Sequence, residues 1–215
     1  MAYTLYYAPG AASMAVHWML LELSVSFETV RVDLESGAQR DPAYLKLNPA
    51  GRVPTLVVDG QPYGESVALL MLLAERHPEA GLAPAPGDPQ RAKWLQTMVY
   101  LANTLLPAMR DWFYADKDGA PAGAGAVRDL ARSRIEGTWP RLADQLSDGR
   151  ACLFGAKPGA ADFLAAMLMR WSRNMAHPAN QQPALAAYLA RMAALPSYVE
   201  LCRREELAPW PAAAS

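Results

Sequence analysis

Hydrophobic and polar positions in the first third of the chain follow the patterns of short strands that alternate with helices. Residues 3–7 form an aromatic and β-branched run that ends at Pro9-Gly10, which is typical of a strand followed by a turn. Residues 29–34 alternate with period two and residues 55–58 are continuously apolar, so both predict strands. Ser13 stands before apolar positions at helical spacing, which predicts a helix that begins there.

The next segment predicts a hairpin and a further helix. Asp59-Gly60 is a strong two-residue hairpin signal, and Pro62 restricts the strand after it to an edge of the sheet because proline cannot donate to a ladder. A short helix is expected at residues 44–47, and an apolar helix at residues 67–76. The predicted order is β-α-β-α-β-β-α, a compact α/β unit over residues 1–82.

The remainder of the chain predicts helices only. Prolines crowd between residues 78 and 89, which is typical of a stiff linker, and the second domain is expected over residues 88–215. A long helix begins after Asp88, and the helix over residues 127–146 is expected to bend near Pro140. Further helices are predicted at residues 160–173, 183–195 and 197–205.

Composition and charge narrow the class of protein. The chain has 215 residues, of which 52% are hydrophobic and 19% charged, with a net charge of −1, as expected for a globular protein. The sequence contains no run of Lys and Arg and no apolar stretch of about 20 residues, so neither nucleic acid nor a membrane is an expected partner. The N-terminus lacks a basic signal region, which predicts a cytoplasmic location. The cysteines, Cys152 and Cys202, are not spaced for a metal, so no metal site is expected.

Four segments in order resemble one known family. They are Tyr6-Tyr7-Ala8-Pro9-Gly10-Ala11-Ala12-Ser13, Asn48-Pro49-Ala50-Gly51-Arg52-Val53-Pro54, Gly64-Glu65-Ser66 and Pro158-Gly159-Ala160-Ala161-Asp162. The chain thus resembles the cytosolic glutathione S-transferases, and most of all their bacterial beta-class branch. The resemblance implies a thioredoxin-like N-terminal domain, an all-α C-terminal bundle, glutathione as cosubstrate, a role in detoxification and a homodimer.

The resemblance also implies a glutathione site. Pro54 is expected to be cis, which would expose the backbone of Val53 to the cysteinyl part of glutathione. Glu65 and Ser66 would hold the γ-glutamyl end, although both residues could equally be a simple helix start. Arg52 lies where related enzymes have a polar side chain that reaches toward the peptide.

Activation of the glutathione thiol has more than one candidate donor. Ser13 is favoured because it begins a helix after the turn, and Tyr7, at the end of the first strand, is the rival. Ala12 and Ala11 occupy the positions where the beta-class branch carries its cysteine, so chemistry through that cysteine is not expected. Asn103 stands where that branch has a catalytic histidine; its amide can donate to a thiolate but cannot act as a base.

The acceptor and the reaction are less closely defined. Arg110, Tyr114 and Trp171 are candidate residues of an acceptor site for a small hydrophobic electrophile. The predicted activity is transfer of glutathione to that electrophile, or a related isomerisation or reduction. The alternative is a noncatalytic relative that serves as a binding or protein-interaction module.

Overall fold

The structure, a computed structural model, describes residues 2–118 and 121–211. Its contacts divide the chain into two compact units: residues 2–83 join Ala194–Pro209, and Pro84–Ala193 with residues 210–211 form the second unit. The last helical segment therefore belongs by its contacts to the first unit, whereas the sequence-based limits place it in the second domain. The outer limits of the predicted domains, residues 1 and 215, lie outside the described residues.

A four-stranded mixed sheet forms the centre of the first unit. The strands are β1 (Tyr3–Tyr7), β2 (Glu28–Arg31), β3 (Thr55–Val58) and β4 (Gln61–Tyr63), in the order β2-β1-β3-β4. β1 pairs with β2 in parallel, and β3 pairs with β1 and β4 in antiparallel fashion. Pro62 lies in the edge strand β4, as its missing N–H predicted.

Helices make up the rest of both units. The first unit contains α1 (Ser13–Glu22), α2 (Pro42–Leu45) and α3 (Ser66–Arg76). The second contains α4 (Arg91–Tyr100), α5 (Leu106–Tyr114), α6 (Ala124–Glu136), α7 (Thr138–Gln145), α8 (Ala160–Trp171) and α9 (Pro183–Ala193). Leu101–Leu105 joins α4 to α5 as a π-helical turn, and α10 (Pro196–Arg204) returns to the first unit. The predicted fold class, a thioredoxin-like α/β domain with a helical C-terminal region, is confirmed.

One helix in each unit is buried along most of its length. Every residue of α1 from Ser13 to Leu20 is buried, and α1 contacts β1, α3 and α10. Every residue of α8 from Ala160 to Arg170 is buried within the second unit. An apolar surface all around a helix is typical of such a core position, whereas a surface helix has a single apolar face.

Two predicted elements differ from those observed. β2 ends at Arg31 rather than near residue 34, because the Asp33 carboxylate accepts the N–H groups of Glu35 and Ser36 and turns the chain. The helical segment expected to bend near Pro140 is instead interrupted at Gly137. Pro140 lies in the first turn of α7, where the N–H that proline lacks has no partner within a helix.

None of the helices in the described ranges combines the length and the apolar character that crossing a bilayer requires.

Candidate active site

The turn between β1 and α1 is closed by the side chain of Ser13. Its hydroxyl donates to the carbonyl of Ala8 at 3.1 Å and accepts the Ala8 N–H at 3.2 Å. Ser13 has no exposed surface, and Ala8 is buried as well. A serine hydroxyl has one proton to donate. The proton of Ser13 is therefore used within the fold, and this geometry weighs against Ser13 as the donor to a bound thiol.

The side chain of Tyr7 lies among charges from β2 and from the segment after α10. Burial raises the pKa of the Tyr7 hydroxyl, and the neighbouring Glu205 and Glu206 raise it further, while Arg31 lowers it. β2, which carries Arg31, flanks β1 on the side opposite β3. Within the described residues the Tyr7 hydroxyl has no hydrogen-bond partner.

The loop before β3 is fixed by two polar residues from the region of α2. The Tyr44 hydroxyl donates to the carbonyl of Arg52 at 2.7 Å and contacts the Thr55 hydroxyl at 2.8 Å. The Asn48 amide donates to the same Arg52 carbonyl at 2.9 Å and to Thr55 at 3.0 Å. These bonds hold the backbone on both sides of Val53, while the Arg52 side chain is exposed.

Val53 itself keeps its backbone open. The Val53–Pro54 peptide bond is cis, which confirms the geometry expected at Pro54. Within the described residues, neither the N–H nor the C=O of Val53 has a hydrogen-bond partner. An extended peptide can pair with such free backbone groups as with the edge of a sheet.

Gly51 lets the loop approach the chain before α2. Its φ is +58°, and a Cβ at this position would lie 2.9 Å from Arg40 and 3.0 Å from the carbonyl of Gln39. Both the left-handed backbone and the close approach require glycine. The tight turn before Val53 therefore depends on this residue.

The start of α3 presents polar groups without partners. Ser66 is the first helical residue and is buried, yet its hydroxyl has no hydrogen-bond partner in the described part of the chain. Glu65 precedes it with a φ of +65°, a strained conformation for a residue other than glycine, and its side chain is exposed. The first N–H groups of a helix also lack intrahelical partners, and the helix dipole is positive there. This combination suits a bound carboxylate with an ammonium group beside it.

The predicted acceptor residues lie in the second unit, where the structure groups them in pairs. The Arg110 guanidinium lies 4.6 Å from the centre of the Tyr114 ring and pairs with Asp118 at 2.5 Å. Trp171 meets Phe113 edge-to-face at 6.2 Å between ring centres. Asn103 is exposed on the π-helical turn between α4 and α5, a feature often found at functional sites.

Both cysteines lie inside the fold. Cys152 and Cys202 are both buried, and burial raises the pKa of the Cys152 thiol to about 11. The residues that the structure describes contain no group of three or more His, Cys, Asp or Glu side chains placed to hold a metal ion.

The sequence did not indicate two residues that organise this region. Tyr44 was expected only as part of a helix, although its hydroxyl supports the Val53 loop. Glu205 resembles a surface charge in the sequence, yet it is buried beside His17 and the β1–α1 turn. Only a three-dimensional contact shows either role, because the partners are 8 residues away for Tyr44 and 188 or more for Glu205.

Comparison with known proteins decides the family. The N-terminal domain of glutathione S-transferases matches residues 1–75. A glutathione S-transferase of Xanthomonas campestris pv. campestris is 30% identical over 194 residues, which cover 88% of this chain and 92% of that protein. The chain belongs to the cytosolic glutathione S-transferase family. It is therefore a glutathione S-transferase enzyme, and the noncatalytic alternative is not supported.

Two further similarities bear on the site. A maleylacetoacetate isomerase of Rhizobium meliloti is 34% identical over 161 residues, or 73% of this chain and 74% of the relative. The structure of a sphingomonad glutathione S-transferase complexed with glutathione has a TM-score of 0.82 and 30% identity, with 95% of this chain and 100% of that chain covered. The match extends along nearly the whole of both chains, so the fold likeness includes both units.

Proposed function

We propose that the first unit binds glutathione along Val53, Glu65 and Ser66 and holds its thiol as a thiolate at the start of α1. The observation that carries this proposal is the Ser66 hydroxyl, which is without a partner at a helix start beside the strained Glu65. Ser66 and the α3 amides receive the γ-glutamyl carboxylate, and the Glu65 carboxylate receives the ammonium. The sphingomonad relative that was solved with glutathione supports this choice of ligand.

The middle of the peptide is held by backbone groups. The free N–H and C=O of Val53 pair with the cysteinyl residue of glutathione, since each would otherwise need a water molecule. Arg52 is exposed beside them and can reach the glycyl carboxylate or solvent. The bonds from Tyr44 and Asn48 to the Arg52 carbonyl keep the loop in place before glutathione arrives.

For the thiol, the backbone at the start of α1 is a better donor than either hydroxyl. A free thiol has a pKa of about 8.5, and lowering it by about two units requires about 2.7 kcal/mol. A hydrogen bond to a charged group supplies roughly 1.5–3 kcal/mol, and a helix N-terminus up to about 2 kcal/mol more. The half-buried Ala12 and the amide of Ser13 stand at this end of α1, and their N–H groups precede the first intrahelical bond.

The acceptor is proposed to be a small hydrophobic electrophile. The aromatic pairs on α5 and α8 in the second unit offer apolar surface, and Arg110 offers one polar group. Asn103 remains a proposed donor to the thiolate or to the acceptor. Isomerisation is the second candidate reaction, because a relative with 34% identity is named maleylacetoacetate isomerase. A thiolate that adds reversibly to a conjugated double bond can isomerise it.

Self-association into a homodimer is proposed on the family resemblance. Sedimentation at micromolar concentration is expected to give about twice the 23.4 kDa mass of one chain. A single species at the mass of one chain would contradict it.

One set of measurements tests the proposed function. The protein is passed over immobilised glutathione, its conjugation of a chloronitrobenzene is assayed, and the ultraviolet thiolate absorbance of bound glutathione is titrated. Retention, conjugation and a bound thiol pKa about two units below that of free glutathione are expected. Retention with an unshifted thiol and no turnover would leave only a binding site.

A further inference from the structure

Glu205 is an unusual residue for the end of a surface helix. It directly follows α10, yet its side chain has no exposed surface. An ionised carboxylate is costly to bury unless hydrogen bonds and charge compensate it. The buried Glu205 carboxylate must therefore be compensated by its hydrogen-bond partners.

Both oxygens of Glu205 bind the region that begins α1. Oε2 accepts the backbone N–H of Gly10 at 2.8 Å. Oε1 lies 2.8 Å from Nδ1 of His17, which is also buried. One side chain thus joins the β1–α1 turn to the first full turn of α1, at the place where the proposed thiol-binding amides lie.

The turn itself depends on a fixed backbone at Gly10. Its φ is +67°, and a Cβ there would lie 3.5 Å from Leu207, which comes two residues after Glu205. The segment after α10 therefore covers the turn with an apolar contact as well as the carboxylate bond. The ring of Tyr7 packs on His17 from the strand side at 5.2 Å between ring centres.

A second attachment fastens α10 to α1 at the opposite end. The Trp18 indole donates to the Ser197 hydroxyl at 3.0 Å, and that hydroxyl donates to Glu22 at 2.5 Å. The two helices are thus antiparallel, and Ser197 holds α10 without touching the turn. Ser197 is a matched control for Glu205, because both side chains attach the same helix to α1.

We propose that Glu205 is a positioning residue for glutathione activation: its carboxylate fixes the Gly10 turn and, through His17, the first turn of α1, so that the amides there meet the thiol. The proposal rests on the proposed function. Glu205 acts through the backbone it holds and does not touch glutathione.

The variant Glu205→Gln tests the proposal while keeping the size of the side chain. The amide oxygen can still accept from Gly10, but the NH₂ group cannot accept a proton from Nδ1 of His17. His17 could accept from that NH₂ only by moving its proton to Nε2, which is buried and has no partner among the described residues. One of the two bonds is therefore lost or made at a cost.

The expected result separates positioning from general stability. In Glu205→Gln the bound thiol pKa rises by about one unit, and kcat at about pH 6.5 falls about fivefold because less of the thiol is ionised. The KM for glutathione changes less than about twofold, because Val53, Glu65 and Ser66 are untouched. Ser197→Ala loses stability without a change in thiol pKa. Glu206→Gln removes the neighbouring exposed carboxylate and is expected to change neither the stability nor the thiol pKa. It therefore controls for the lost negative charge.

Three results would overturn the proposal: a thiol pKa that is unchanged in Glu205→Gln, one that is lowered by the loss of negative charge, or an equal rise in Ser197→Ala. Amide hydrogen exchange without glutathione adds an independent readout. Faster exchange of residues 10–13 in Glu205→Gln than in Ser197→Ala is expected, and equal exchange would contradict the role. If the wild type failed to bind glutathione, the proposed function alone would fail, and exchange would still decide whether Glu205 holds the turn.

Discussion

Ser13 and Ser66 each begin a helix in the first unit, but their hydroxyls differ in hydrogen bonding. Ser13 at the start of α1 has no exposed surface and exchanges two hydrogen bonds with the backbone of Ala8. Ser66 at the start of α3 is also buried, but its hydroxyl has no partner within the described residues. The sequence surroundings of the two serines favour a helix start equally, so the difference comes from the neighbouring backbone.

The comparison distinguishes a closed helix start from an open one. At α1, Ala8 is brought within 3.2 Å by the preceding turn, and the serine satisfies both of its backbone groups. At α3, the preceding Glu65 has a positive φ, and the Ser66 hydroxyl has no partner within the described residues. The serine hydroxyl contributes to stability at the closed start and is left for a ligand at the open start, while the first N–H groups have no capping side chain at either helix.

A third helix start, that of α8, is closed by a carboxylate. Asp162 accepts the N–H of Leu153 at 2.8 Å, the N–H of Gly159 at 3.0 Å and the hydroxyl of Tyr188 at 2.9 Å. Replacing it with alanine leaves three buried donors without an acceptor, so Asp162→Ala is expected to lower the free energy of unfolding by about 3–5 kcal/mol. Denaturant titration measures this loss. A loss below about 1 kcal/mol would show that water replaces the carboxylate.

The pH dependence of stability gives a second test of Asp162, because the direction of the change can be predicted. Burial raises the pKa of the Asp162 carboxyl to about 6, although its three hydrogen bonds oppose the shift. A carboxyl whose pKa is higher in the folded state contributes most stability when protonated, and that contribution falls as pH rises from about 4 to about 6. Asp162→Asn cannot ionise, so its stability relative to the wild type should improve over this interval. A relative decline would mean that the hydrogen bonds outweigh burial.

Ser13→Ala tests the closed start of α1. The change leaves the N–H of Ala8 buried without its partner, while the Ala8 carbonyl still accepts the N–H of Ala11 at 3.1 Å, so a loss of about 1–3 kcal/mol in the free energy of unfolding is expected. The dissociation constant of glutathione and the pKa of the bound thiol should change little in the folded protein. Calorimetry and thiolate titration measure them. A thiol pKa raised by about one to two units with little loss of stability would restore Ser13 as the thiolate donor.

Local patterns were sufficient for most of the fold because strands and helices depend on near neighbours. The aromatic and β-branched run of β1, the Asp59-Gly60 hairpin and the edge position of Pro62 all follow from short segments. The predicted end of β2 near residue 34 is wrong because the turn at Asp33 uses the same backbone that the strand would need. The sequence predicts a bend at Pro140, but the helix is interrupted at Gly137. The prediction is wrong because proline is well accommodated in the first turn of a helix.

The candidate site was only partly predictable for a different reason. Val53, Glu65 and Ser66 came from motifs of the family, and their open backbone or hydroxyl agrees with a binding role. Whether the Ser13 hydroxyl is already bonded within the fold could not be predicted from sequence, because this depends on where Ala8 lies. Glu205 could not be found at all, since 195 residues separate it from Gly10.

Ser66→Ala is the counterpart of the Ser13 variant. It removes a hydroxyl without a partner in the described structure, so the free energy of unfolding should change by less than about 0.5 kcal/mol. Binding of glutathione should weaken by about 1–3 kcal/mol, the range for a lost hydrogen bond to a charged group. Calorimetry on both variants measures the contrast: Ser13→Ala should lose stability and keep glutathione binding, whereas Ser66→Ala should keep stability and lose binding. An unchanged dissociation constant in Ser66→Ala would remove the start of α3 from the site.

Tyr7→Phe gives the smallest expected effect and tests whether a side-chain hydroxyl has any share in the thiolate. The Tyr7 hydroxyl has no partner among the described residues, and its ring contact with His17 at 5.2 Å survives in phenylalanine. The charges around it come from Glu205, Arg31 and Glu206. Stability should therefore change by less than about 0.5 kcal/mol and the bound thiol pKa by less than about 0.3 units.

Titration of thiolate absorbance decides between the donors: a rise of about one unit in the bound thiol pKa would assign the thiolate to the Tyr7 hydroxyl. The α1 amides would then be secondary, and the open start of α3 would remain the binding end of the site.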